Sequence, residues 1–473
     1  MKLPFTDGFY VGDSDAMMNQ ELINAYVHEV KLANGEIIEQ GLFASAGLNS
    51  LGATTSSSSN ESNRGTGLLA EQPYFVNGTG LFRLNSDETT TIIGGFNTIP
   101  DTGPVSIASN DTQQLILVPG RDGFINNGTS VSIISDIDFK ANGIPQTVIF
   151  IDGYFLCTTD TKKFIISAIN DGTAWNPLDF GTAESDPDPI VAGLNFRSQA
   201  VIFGTQTTTF FDNIGGVDFP FVRSLTLAKG LFARFSVVEI NNTFIFIGGG
   251  ENENAAIWQF QGNDYIKVST GAIDKILAAL TESELQDIVA YAYSDNNNYF
   301  VDWSLPNETI SYDITTGKWH LKKSKVNDLI GGWRPRNIIK AYNKLYCGDR
   351  LDGTIGEVSR TFLDEYGEII ERTFDVRPLR NETRSFSLPR IEVTVQSGVG
   401  VGSSPTIGLS TSKNGSTFGD IRTRSIGNSG NYNKRAVWRR NGRFQRYGLL
   451  RFTHADKSEF FVISIDADIV VGR

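Results

Sequence analysis

The sequence predicts an all-β protein: a β-propeller of six or seven blades joined to a β-sandwich platform built from the C-terminus and the N-terminus. Three observations carry this. The 473 residues include 48 Gly, 32 Phe and 14 Tyr against 3 Met and 3 His, a bias toward short strands and tight turns. A strand–turn–strand unit recurs along the middle of the chain. Alternating apolar and polar residues then take over from about Phe374.

Residues 1–70 read as an N-terminal segment packing with the platform; it includes the strand Ala25-Tyr26-Val27-His28-Glu29-Val30. Thr54 to Gly67 (TTSSSSNESNRGTG) is a flexible polar loop by composition. Residues 71–373 read as the propeller. Anchoring the repeat on Val76, Val118, Cys157, Phe203, Ile247, Asp302 and Cys347 gives spacings of 42, 39, 46, 44, 55 and 45. A period of 40–50 residues with about four strands per unit is a propeller signature; a chain of β-sandwiches is the rival. The long spacing has a cause. Ile273, Ile276, Leu277 and Leu280 form an amphipathic helical stripe, and Thr281-Glu282-Ser283-Glu284 matches a capping box, so a helical insert occupies 271–288. Residues 374–473 read as a basic β-sandwich, with strands such as Arg390–Val395 and Phe460–Ile465.

Catalytic motifs are thin. His28, His320 and His454 are far apart in sequence, and Cys157 and Cys347 fall at equivalent places in their units, as buried blade residues would. Gly248-Gly249-Gly250 follows a strand, but no helix follows it, so it reads as a turn rather than a phosphate loop. Asp186-Pro187-Asp188-Pro189 lacks the ligand alternation of an EF-hand. Asn170–Trp175 and Lys413–Phe418 resemble the Asp-box hairpins of sialidase propellers, departing at the aspartate. No catalytic, cofactor or metal residues can be assigned. No apolar run approaches the roughly 20 residues that cross a bilayer, and Pro4, Asp7 and Gly8 interrupt any signal-peptide core.

Charge divides the chain. Residues 1–320 hold 15 Lys and Arg against 37 Asp and Glu, a balance of −22, and residues 321–473 hold 26 against 16, a balance of +10. Ile421 to Ala455 contains nine basic residues and no acidic one. Two readings stand: a solvated basic strand face, or a docking surface for an acidic partner or nucleic acid. The docking candidates are Arg435, Trp438, Arg439, Arg440, Arg443 and Arg446, since arginine and aromatic residues together are typical interface anchors.

Several stretches, in order along the chain, resemble one family. They are Gln20–Tyr26, Gly41-Leu42 to Gly47-Leu48, Gly193–Gly204, Ala272–Leu277 with Thr281–Glu284, Leu409–Gly415 and Lys434–Arg443. Together they resemble the tail hub proteins of short-tailed bacteriophages, also called packaged-DNA stabilisation proteins, tail accessory factors or nozzles. The TTSSSSNESN insertion has no counterpart in that pattern. The resemblance implies a structural virion protein without enzymatic activity or cofactor. It implies a homo-hexameric ring below the portal and adaptor (head-to-tail) protein, closing the DNA channel and carrying tailspikes or fibres and a tail needle or plug. Double-stranded DNA would pass without sequence recognition, and there would be no membrane insertion. Assembly in the host bacterial cytoplasm and residence in the virion tail complete the expectation. An acidic bore would let DNA slide where a basic one would hold it. The alternatives are a glycan-binding or sialidase-like propeller, or a monomeric scaffold propeller.

Overall fold

The computed structural model describes all residues except 13–17, 57, 95–97, 101–102, 184–187, 217–218, 382–383, 397, 399–403 and 473. Four N-terminal strands matter for the architecture: β1 (Leu22–Ile23), β2 (Ala25–Lys31), β3 (Ile37–Ala44) and β4 (Gly47–Ala53). They go to three different sheets, and each closes something.

Seven antiparallel blades follow. The first six span 63–94, 106–133, 145–182, 190–227, 230–267 and 289–326. The seventh takes three strands from 335–359 and its fourth from β4, paired to Thr354–Ser359 from Gly47↔Ser359 to Ala53↔Thr354. The ring therefore closes by joining the front of the chain to its last blade. Innermost strands pack on their neighbours, with Asn63–Leu69 of blade 1 against both Ser106–Ser109 and Pro335–Ala341. The count is seven, and the residue-70 boundary falls after the innermost strand of blade 1.

The recurrent apolar strands are the second strands of their blades, so their side chains fill the space between sheets. Phe196, Phe203, Phe210, Phe244, Phe246, Phe260 and Tyr265 pack between blades 4 and 5. A buried side chain of this kind contributes about 1.5–3 kcal/mol, and phenylalanine, with 32 residues, is the commonest aromatic of the chain. Cys157 and Cys347 are both buried free thiols; burial pushes the Cys347 thiol up to about 12. The insert after blade 5 forms α1 (Gly271–Ala278) and α2 (Glu282–Gln286). Thr281 and Glu284 make the reciprocal capping box that starts α2.

The polar stretch before blade 1 is tied down, in contrast to its composition. Glu61 accepts from the Ser56 N–H at 2.9 Å and from Ser58 N–H at 2.9 Å, while Thr54 and Gly353 are joined through backbone and hydroxyl. A single carboxylate organises the turn that composition alone cannot foresee.

The sandwich is continuous with the propeller. The outer strand of blade 6, β5 (Lys318–Val326), bridges in parallel to β1, and β1 pairs antiparallel with β6 (Arg372–Arg380). Beyond β6 the chain supplies β7 (Phe386–Val395), β8 (Thr406–Ser412), β9 (Arg422–Ser425), β10 (Ala436–Arg439), β11 (Tyr447–His454) and β12 (Phe461–Val471). One ten-stranded sheet runs through blade 6 in the order β5-β1-β6-β11-β8-β9; the second sandwich sheet runs β2-β3-β12-β7-β10. One core cluster spans blade 5 (Ile247), blade 6 (Trp303), α1 (Ile273) and the sandwich (Phe374, Ile391, Trp438). A junction this apolar makes propeller and platform one rigid unit. Among the described residues, no helix is long and apolar enough to cross a membrane.

Candidate docking surface at the basic sandwich edge

β9 and β10 are the outer strands of the two sandwich sheets, and they meet at its open side. Trp438 Nε1 donates to Arg422 O at 2.6 Å, Arg424 Nε to Val437 O at 3.0 Å, and Arg422 Nη2 to Asn441 Oδ1 at 2.7 Å. In the ten-stranded sheet β9 lies five strand positions beyond β5, about 24 Å at the usual strand spacing of about 4.8 Å. The basic edge is thus the far end of a sheet that starts in blade 6 of the propeller.

Arg435, Arg439, Arg440, Arg443 and Arg446 are all exposed at this edge. Their partners differ. Glu392 on β7 takes Arg435 in a two-pronged ion pair, with Nη2 to Oε2 at 2.5 Å, and also takes Arg390. These hydrogen bonds hold the Glu392 carboxyl below the usual range. Arg443 donates to Ser385 Oγ at 2.7 Å. Among the described residues, Arg439, Arg440 and Arg446 have no carboxylate within ion-pair distance.

Trp438 corrects its expected role. It has 0% exposure, sits edge-on to Phe452, and belongs to the sandwich core; Phe444 is equally buried and stacks on Phe386. Neither aromatic can anchor a partner. Expected strand alternation also stops early. β10 ends at Arg439, and Arg440 takes φ 58°, so Arg439 and Arg440 both face solvent and Asn441 turns in to donate to Leu388 O and Trp438 O. Arg451 is drawn inward instead, pairing with Asp375 at 2.8 Å and Glu21 at 3.1 Å. Alternation placed Trp438 and Arg439 on opposite faces but carried no sign of which face was inside.

The remaining motifs are structural. His320 and His454 are buried; burial, with Arg372 beside it, pushes the His454 imidazole down to about 3. Asp188 caps a turn by accepting from Thr205, Gln206 and Thr207 N–H groups at 2.7–2.9 Å; Asp186 and Pro187 lie outside the described residues. In the Asn170 hairpin, Trp175 Nε1 donates to Gly172 O at 2.9 Å, and after Gly248-Gly249 the Gly250 N–H turns back on Glu253. Among the described residues, no group of three or more His, Cys, Asp and Glu is placed to hold a metal.

The chain is a seven-bladed propeller fused to a sandwich whose open edge is lined with arginines. Family comparison is specific. The description "Bacteriophage P22 Gp10, beta-propeller" matches residues 1–363, and "Bacteriophage P22 Gp10, beta-sandwich" matches residues 371–470. The chain belongs to the bacteriophage P22 Gp10 family, and with it to the phage tail structural proteins. It is 22% identical over 370 residues to the tail hub protein gp10 of Salmonella phage P22, covering 74% of this chain and 76% of that protein. Solved structures with similar chains include YCF48 bound to D1 peptide (9% identity, 70% of this chain and 97% of that chain, TM-score 0.41). BamB from Moraxella catarrhalis is another (10% identity, 66% and 97%, TM-score 0.40).

Proposed function

We propose that this protein is the tail hub or nozzle of a short-tailed phage: six copies close a ring below the portal and adaptor. The ring retains packaged DNA and carries tailspikes or fibres and a tail needle or plug. It acts without catalysis, is assembled in the host cytoplasm, and uses the exposed arginines Arg439, Arg440, Arg443 and Arg446 to dock. The observation that carries this reading is the polarity of the chain, an acidic body (residues 1–320, balance −22) and a basic sandwich edge held in one unit by the ten-stranded sheet that runs from blade 6 into the sandwich. Ring closure is a head-to-tail contact, which a rigid unit with two different faces satisfies. An acidic bore would repel the phosphate backbone and keep DNA mobile. Reconstruction of the assembled tail by electron microscopy tests it: six copies are expected, and three or twelve would reject the ring. Turnover of capsular or lipopolysaccharide glycan by the pure protein would reject the non-enzymatic role.

A further inference from the structure

The propeller axis carries charge opposite to its surroundings. A cavity of about 160 Å³ takes lining residues from all seven blades, among them Arg64, Arg234, Thr147 and Asn337. An adjoining cavity of about 340 Å³ shares Arg64 and is lined by Arg336 and Arg350, with Glu284 and Asp287 at its α2 side. Both far exceed the roughly 10–15 Å³ that one water needs.

The guanidinium groups here hold carbonyls. Arg350 donates to Leu305 O at 2.9 Å and Pro306 O at 3.1 Å, Arg234 to Val191 O at 3.4 Å, and Arg64 to Gly78 O and Gly103 O at 2.7 Å. Among the described residues, Arg234, Arg336 and Arg350 have no carboxylate within ion-pair distance, and the Arg336 Nε is buried with no hydrogen-bond partner. Burial and the neighbouring Arg350 push the Arg336 guanidinium down to about 10, so it stays charged at neutral pH. Of the two acidic groups, Glu284 is committed to Thr281 through the capping box, and Asp287 is exposed at the mouth. Among the described residues, four cations converge on a shielded channel where carboxylates are outnumbered. Buried cations of this kind are stable when an anion supplies the missing charge and acceptors.

We propose that the propeller channel is an oxyanion site, taking a phosphate or a carboxylate group on Arg336, Arg64 and Arg350, with Arg234 deeper on the axis. The guanidinium fork suits both anions. The test is calorimetric titration of the purified full chain with inorganic phosphate and, separately, with succinate. Saturable binding of either is expected, and the one that binds identifies the anion class. Arg336→Gln should weaken it about tenfold or more, Arg336→Lys should recover part of the loss, and Arg121→Gln at an exposed turn of blade 2 should leave it unchanged. Absence of saturable binding of both anions to the unmodified protein would overturn the proposal. So would a folded Arg336→Gln protein that binds as the unmodified one does. If Arg336→Gln fails to fold, the unmodified protein and Arg336→Lys decide the matter.

Discussion

Asn24 and Lys323 exchange two hydrogen bonds: Asn24 Nδ2 donates to Lys323 O at 2.8 Å, and Lys323 N–H donates to Asn24 Oδ1 at 2.9 Å. The same amide also donates to Glu371 O at 2.7 Å, so one buried side chain ties blade 6 to the start of the sandwich. Asn24 sits at φ 56°, a region asparagine tolerates better than most residues. Asn24→Ala should cost about 2–4 kcal/mol through the groups it leaves unpaired. A lowered midpoint in urea unfolding is expected; an unchanged one would show that the clamp is dispensable.

Removing residues 1–53 leaves blade 7 without its fourth strand and exposes the edge of Thr354–Ser359. Unprotected edges recruit other chains. The truncated protein should aggregate or form mixed oligomers in light scattering, whereas the intact chain should not.

Glu365 is buried beneath Trp333, whose Nε1 donates to it at 2.8 Å, and burial pushes its carboxyl up to about 7. The unfolded value is about 4.3, so the folded state holds this proton more tightly. Its contribution is full below pH 4.3 and is lost as pH rises through 7. Comparing the unmodified protein with Glu365→Gln, the stability difference should move against the unmodified protein by about 2–3 kcal/mol between pH 5 and 8. Parallel pH profiles would refute it.

Reversing Arg439, Arg440 and Arg446 to Glu touches no ion pair within the chain among the described residues. Stability should change by no more than about 0.5 kcal/mol per site, while co-sedimentation with portal and adaptor complexes is lost. Normal incorporation of the triple variant into infectious particles would remove these arginines from the docking surface.

Trp438→Ala should behave oppositely, costing about 3–5 kcal/mol because it empties the sandwich core. Thermal unfolding separates the two cases, since an exposed anchor would leave the melting temperature in place.

These residues also show where sequence reading stops. The seven blade anchors were legible because each repeat writes its own apolar strand within six residues, and the helical insert because its stripe and capping box are local. The two-residue strand β1 and the closing strand β4 were not, since their partners lie some 300 residues away and two residues hold no period. At the basic edge, the arginines were visible as charge. The inward turn of Trp438 and Phe444 was decided by sheets built from distant strands. The channel arginines Arg64, Arg234, Arg336 and Arg350 were scattered over the sequence and only the ring brings them together.

β3 pairs with β12, joining Phe43 to Phe461 across almost the whole chain. During synthesis at about 5–20 residues per second, the strand β3 must therefore wait roughly 20–90 s for its neighbour to leave the ribosome. The blades between them can form one after another in that interval. The platform cannot: β2 and β3 can pair as a hairpin, but the edge of β3 that β12 covers must stay open until the end of the chain is made. Maturation is thus timed by chain length, and a stalled or shortened message yields a propeller with no completed sandwich to enter the tail.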